Sequence, residues 1–65
     1  MKIIRYEVKN GREYALIRND YGFPKYQHVI TEEGDERKVL ARFPISAPTD
    51  QIACEYASDY VKADN

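Results

Sequence analysis

The chain has no tryptophan and only one cysteine, one histidine and one methionine among its 65 residues. A lone Cys54 excludes an internal disulfide, and a lone His28 leaves too few soft ligands for a zinc site. Its three glycines, Gly11, Gly22 and Gly34, stand apart, so none belongs to a phosphate-cradling loop. Aliphatic runs stop at three residues, as in Ala15-Leu16-Ile17 and Val39-Leu40-Ala41. A membrane span needs about 20 apolar residues, so none is expected. Met1-Lys2-Ile3-Ile4-Arg5 opens like a secretory leader, but charged residues follow where its apolar region would be. A reducing cytoplasm is the expected location, where a single thiol is tolerated.

What is present describes a small folded domain. Hydrophobic residues make up 43% and charged residues 32%, a balance that supports a packed core. One domain spanning residues 1–65 is expected; at this size it buries only roughly 60% of the surface its unfolded chain exposes. Charge is sorted along the chain although the net is −1. Through His28, Lys2, Arg5, Lys9, Arg12, Arg18 and Lys25 outnumber Glu7, Glu13 and Asp20. Beyond it, Glu32, Glu33, Asp35, Glu36, Asp50, Glu55, Asp59 and Asp64 outnumber Arg37, Lys38, Arg42 and Lys62. A basic side and an acidic side are therefore expected, each selecting different partners.

Asn10-Gly11 lies between two alternating segments, and both residues tolerate the positive φ of a two-residue hairpin turn. Strands are predicted at 2–9 and 12–19. The turn pairs Val8 with Glu13, Tyr6 with Ala15 and Ile4 with Ile17, and this mostly apolar side is read as the core. The opposite side carries Arg5, Lys9, Arg12, Tyr14, Leu16 and Arg18, and is read as a solvated basic face. Further strands are predicted at 25–31 and 37–45, joined by a charged loop turning at Gly34. Val39, Ala41, Phe43 and Ile45 alternate along the fourth, and Pro44 demands an edge position or an exit from the sheet. Thr49 or Ser46 caps a helix running to Ala63, whose apolar face holds Ile52, Ala53, Tyr56, Ala57, Tyr60 and Val61. The expected fold is α+β: a four-stranded antiparallel sheet (ββββα) with one C-terminal helix on one face. Its expected core is Ile4, Tyr6, Val8, Ala15, Ile17, Val39, Ala41, Phe43, Ile52, Ala53, Tyr56, Ala57 and Tyr60.

No catalytic, cofactor-binding or metal-binding residue is expected, and the chain does not read as an enzyme. Cys54 has Asp50, Gln51, Ala57 and Ser58 one helical turn away, none of them a base that would activate a thiol. His28 has no carboxylate within three residues to make it a dyad partner. Glu55 and Asp59 share a helix face, as exposed carboxylates commonly do.

Two binding modes remain. In the first, Glu32, Glu33, Asp35, Glu36, Asp50, Glu55 and Asp59 occlude a basic groove on a larger protein or nucleoprotein complex, competing with a phosphate backbone. In size, charge and architecture the chain resembles phage-encoded inhibitors of host nucleic-acid machinery, including anti-CRISPR proteins; the resemblance implies a steric or DNA-mimicking inhibitor that is a monomer or weak homodimer. In the second, the basic face of Arg5, Lys9, Arg12, Tyr14, Leu16 and Arg18 reads duplex DNA; in plan it resembles AP2-like and integrase arm-binding domains, which do so with a three-stranded sheet. A pI of about 5.7 argues against it, since autonomous DNA-binding domains are usually basic. A small subunit of a larger complex is a third reading.

Overall fold

The computed structural model describes residues 1–63; the acidic contribution expected of Asp64 lies outside them. Four strands form a meander in the order β1-β2-β3-β4, all antiparallel: β1 (Lys2–Lys9), β2 (Arg12–Arg18), β3 (Tyr26–Glu32) and β4 (Asp35–Ile45). One helix, α1 (Asp50–Ala63), follows. The expected α+β class and ββββα order are therefore those of the molecule.

Local chemistry explains the elements. Asn10 and Gly11 adopt φ of 54° and 75°, and Lys9 pairs with Arg12 across them. Gly34, at φ 83°, turns β3 into β4 after Glu33. Asn19 closes the β2–β3 connection: its amide donates to the Lys25 carbonyl at 2.7 Å, and its side-chain oxygen accepts from the Tyr21 amide at 3.1 Å. The Phe23–Pro24 peptide in this loop is cis. Thr49, not Ser46, caps α1, its hydroxyl accepting from the Ile52 amide at 3.2 Å. At the far end, the Lys9 ammonium donates to the Val61 carbonyl at 3.0 Å, satisfying an acceptor the helix leaves open.

The helix covers the face opposite to the one expected. Tyr14, Leu16, Tyr26, His28, Ile30 and Ile45 lie beneath it, and Tyr14 and Leu16 are each only 1% exposed. Ala53, Ala57 and Val61, four residues apart, form the buried ridge of α1. Small side chains there let the helix come close to large side chains on the sheet. Of the expected core, Ala53 and Ala57 are buried and Ile4, Ala15, Ile17, Ala41 and Ile52 partly so; Tyr6, Val8, Val39, Phe43, Tyr56 and Tyr60 are exposed.

Two things decide the choice of face. The larger apolar surface lies on the covered side, where β3 contributes Tyr26, His28 and Ile30 in alternation. Bulges then redistribute the rest. Ile3 pairs with Ile17 and Arg5 with Leu16, so Ile4 is an extra residue and turns to the helix side, where it packs against the core. In β4, Ala41 pairs with Ile30 and Val39 with Thr31, so Leu40 is extra and Val39 falls on the opposite face from Ala41. The basic residues expected on a solvated face sit instead at the helix margins. Arg18 bonds Asp50 at the start of α1, Lys9 bonds its end, and Arg5 pairs with Glu7 at 3.1 Å.

Candidate functional site

With α1 on one side, no element of the described residues covers the other side of the sheet. Its rows follow from the register. Val8, Glu13, Thr31 and Val39 form one row, and Tyr6, Ala15, Val29 and Arg42 the next. Ile3, Ile17, Gln27 and Pro44 form the third. Ile3 is 59% exposed, Tyr6 53% and Val8 45%. Ile17, Val29 and Val39 join Ile3 and Tyr6 around a shallow depression of about 280 Å³ that Met1, Glu36 and Arg42 also border. A contiguous apolar surface rimmed by charge is the kind of patch that marks an interaction site. Single exposed aliphatic side chains need no such explanation.

The polar groups of this face are ordered. The Tyr6 hydroxyl donates to the Glu13 carboxylate, and the Thr31 hydroxyl donates to the same carboxylate at 3.5 Å. The bond to Glu13, followed by burial and the charges of Glu13, Glu36 and Glu33, pushes the Tyr6 phenol up to about 12. Tyr6 therefore remains a neutral donor at neutral pH. The hairpin end of the face is electronegative, while Arg42 places a cation on the β4 side.

The residues of the expected acidic side are spread over three places. Glu32, Glu33, Asp35 and Glu36 gather at the β3–β4 turn, where Glu32 pairs with Lys38 at 2.9 Å and Asp35 accepts from the Arg37 amide at 3.1 Å. Asp50 lies at the other end of the sheet, about 20 Å away along β2. It accepts from the Tyr26 hydroxyl at 2.6 Å and pairs with Arg18. Tyr26's hydrogen bond first, and Arg18's charge beside it, hold the Asp50 carboxyl below its usual range. This group fastens the helix to the sheet. Glu55 and Asp59 lie on the exposed side of α1.

The alternative site is closed. Tyr14 and Leu16 are buried under α1, and Arg5, Lys9 and Arg18 are engaged at its margins, so this face is not available to a DNA groove. The helix that covers it is the physical reason.

Beneath the helix, four rings form a column. Tyr14 stacks on His28 at 5.8 Å, His28 on Tyr60 at 5.3 Å, and Tyr60 on Phe43 at 5.0 Å between centroids. His28 is 1% exposed, and neither ring nitrogen has a hydrogen-bond partner among the described residues. Burial first, then the charge of Arg5, push its imidazolium pKa down. Cys54 is half-buried on α1. Among the described residues, no group of three His, Cys, Asp or Glu side chains could hold a metal, and no helix is long and apolar enough to cross a membrane.

Sequence reasoning missed the open face as a surface because it assigned that face to the core. The signal was in β3, whose bulky Tyr26, His28 and Ile30 oppose Gln27, Val29 and Thr31. Compared with known proteins, the chain matches no family model, no curated protein and no solved structure.

Proposed function

We propose that this chain is a non-enzymatic protein-binding module that engages its partner through the open face of the sheet. The observation that carries the reading is the contiguous exposure of Ile3, Tyr6 and Val8 beside Ile17, Val29 and Val39, on a face that no element among the described residues covers. The acids at the hairpin end, Glu13, Glu33 and Glu36, favour a partner whose apolar patch is bordered by basic groups. Proteins that handle nucleic acids carry such surfaces, so the inhibitor reading, with occlusion of a basic site, fits this face better than the dispersed carboxylates taken as one array. Aromatic and apolar groups at the centre supply the affinity, and the charged rim supplies orientation and encounter rate.

The test is capture of partners from a native lysate by the wild-type chain, by Tyr6→Asp/Val8→Asp, and by Glu32→Lys/Glu36→Lys. Loss of the same partner in the first variant, with helical and sheet circular dichroism retained, supports the proposal. Full capture by the first variant with loss only in the second transfers the function to the acidic hairpin.

A further inference from the structure

We infer that the groove between α1 and the end of β4 is a second recognition site, which receives a lysine or arginine side chain of a protein partner. The inference rests on the chain being a protein-binding module, but on a different surface. The groove holds about 420 Å³ and is lined by Pro44, Ile45 and Ser46 on one wall and Tyr56, Asp59, Tyr60 and Ala63 on the other. That volume lies within the roughly 300–1,000 Å³ typical of ligand pockets.

The fold leaves this groove open for a definite reason. The backbone of α1 lies nearest β1 and β2, and towards the outer part of β4 the helix presents the side chains of Tyr56 and Tyr60. Tyr60 is fixed there by stacking between His28 and Phe43. Its ring forms part of the helix-side wall of the groove. Tyr56, one turn earlier, is 47% exposed and leaves its ring to the groove.

The chemistry of the lining selects a cation on an apolar stem. Among the described residues, Asp59 is the one charged residue that lines it, and its carboxylate makes no hydrogen bond or ion pair with any of them. Glu55, one turn below on the exposed side of α1, adds negative potential. No basic side chain lines the walls to neutralise them. Pro44, Ile45 and the tyrosine rings suit a methylene stem, while Asp59 and the Tyr56 ring suit the charged head, through an ion pair and a cation–π contact. A neutral apolar side chain would leave Asp59 without a counter-ion. An acidic one would be repelled by it.

Titration of ¹⁵N-labelled protein with N-acetyl-arginine amide and N-acetyl-lysine amide, with N-acetyl-norleucine amide as the neutral isostere, tests this directly. Both cationic amides are expected to shift the amides of Ile45, Ser46, Tyr56, Asp59 and Tyr60 in one saturable set. Asp59→Asn and Tyr56→Ala should each weaken binding about three- to fivefold, the size of an exposed ion pair or cation–π contact. Binding should also weaken as salt rises. Equal binding of the norleucine amide, shifts confined to other residues, or no saturable shift at all would overturn the inference. None of these results depends on the open face. A Tyr6→Asp/Val8→Asp protein that still binds the cationic amides separates failure of the first reading from failure of the second.

Discussion

His28 couples the stability of the molecule to pH. Its imidazole is packed between Tyr14 of β2 and Tyr60 of α1, with Phe43 across the strand pair, and the charged group that acts on it is Arg5 of β1. Neither ring nitrogen is hydrogen-bonded among the described residues, and burial opposes the charged form. The folded-state pKa is therefore lower than that of the unfolded chain, which lies near 6.5. Above that value both states are neutral and stability is full. As pH falls below it, the unfolded chain takes up the proton first, and stability declines until the folded pKa is passed. Urea denaturation of the wild type should show a falling midpoint between pH 7 and 5, and His28→Phe should remove that slope. Phenylalanine keeps the ring column while eliminating two unpartnered nitrogens, so its midpoint at pH 5 should exceed that of the wild type. Asp50 acts in a separate, more acidic window. Its lowered pKa means that the stability it contributes is present above about pH 4 and is lost as the carboxyl protonates below that.

Among the elements, the helix shows most plainly what residue size decides. Ala53, Ala57 and Val61 form a ridge against Leu16, Tyr26 and Ile45 at one end and Tyr14 and Ile30 at the other. Ala57 is fully buried, so Ala57→Leu should raise the helix off the sheet and cost about 1–3 kcal/mol by chemical denaturation. Glu55→Ala, on the exposed side, should change stability by less than about 0.5 kcal/mol. The elements themselves were legible in the sequence: Asn10-Gly11, Gly34 and Thr49 each stand where backbone geometry requires their type, and the β1–β2 register holds from Lys9 to Arg5. What could not be read from alternation were the register shifts, among them the bulges at Ile4 and Leu40. Each of these two bulges adds one residue to a strand, and one residue moves every later side chain to the other face. Ile4 and Ala41 came to lie on the opposite side from Tyr6 and Val39 for that reason. The tyrosines of α1 misled in another way, because large half-polar rings at helical spacing resemble a core stripe while the true ridge is built from alanines.

At the scale of the whole molecule, one sheet carries two faces of unequal use. The covered face places its large side chains out of water, and deleting one of them leaves a cavity. Leu16→Ala should therefore cost about 2–5 kcal/mol. Val8→Ala, on the open face, should cost under about 1 kcal/mol, since half of that side chain is already solvated. Urea denaturation of the two variants, run side by side, checks which face is the core, and equal costs would contradict the arrangement. The open face and the α1–β4 groove lie on opposite sides of the same sheet, joined around β4. A single partner could reach both only by wrapping that edge. Pro44 and the bulge at Leu40 interrupt the edge and make simple strand addition there unfavourable.

The docking of α1 on the first hairpin also governs the order in which the molecule can become complete. Every strand pairs with its neighbour in sequence, so the meander can zip locally and quickly. The helix, however, returns to β1 and β2, where Lys9 meets the carbonyl of Val61 fifty-two residues later. Until that long loop closes, Tyr14 and Leu16 remain in water on one side of the sheet while Tyr6 and Val8 remain in water on the other. The species that precedes completion is thus a sheet with both surfaces sticky, which is the form most exposed to aggregation. Undocking the helix recreates it. The Asp50 and Lys9 fastenings at the two ends of α1 therefore act as guards against self-association as well as contributors to the native fold.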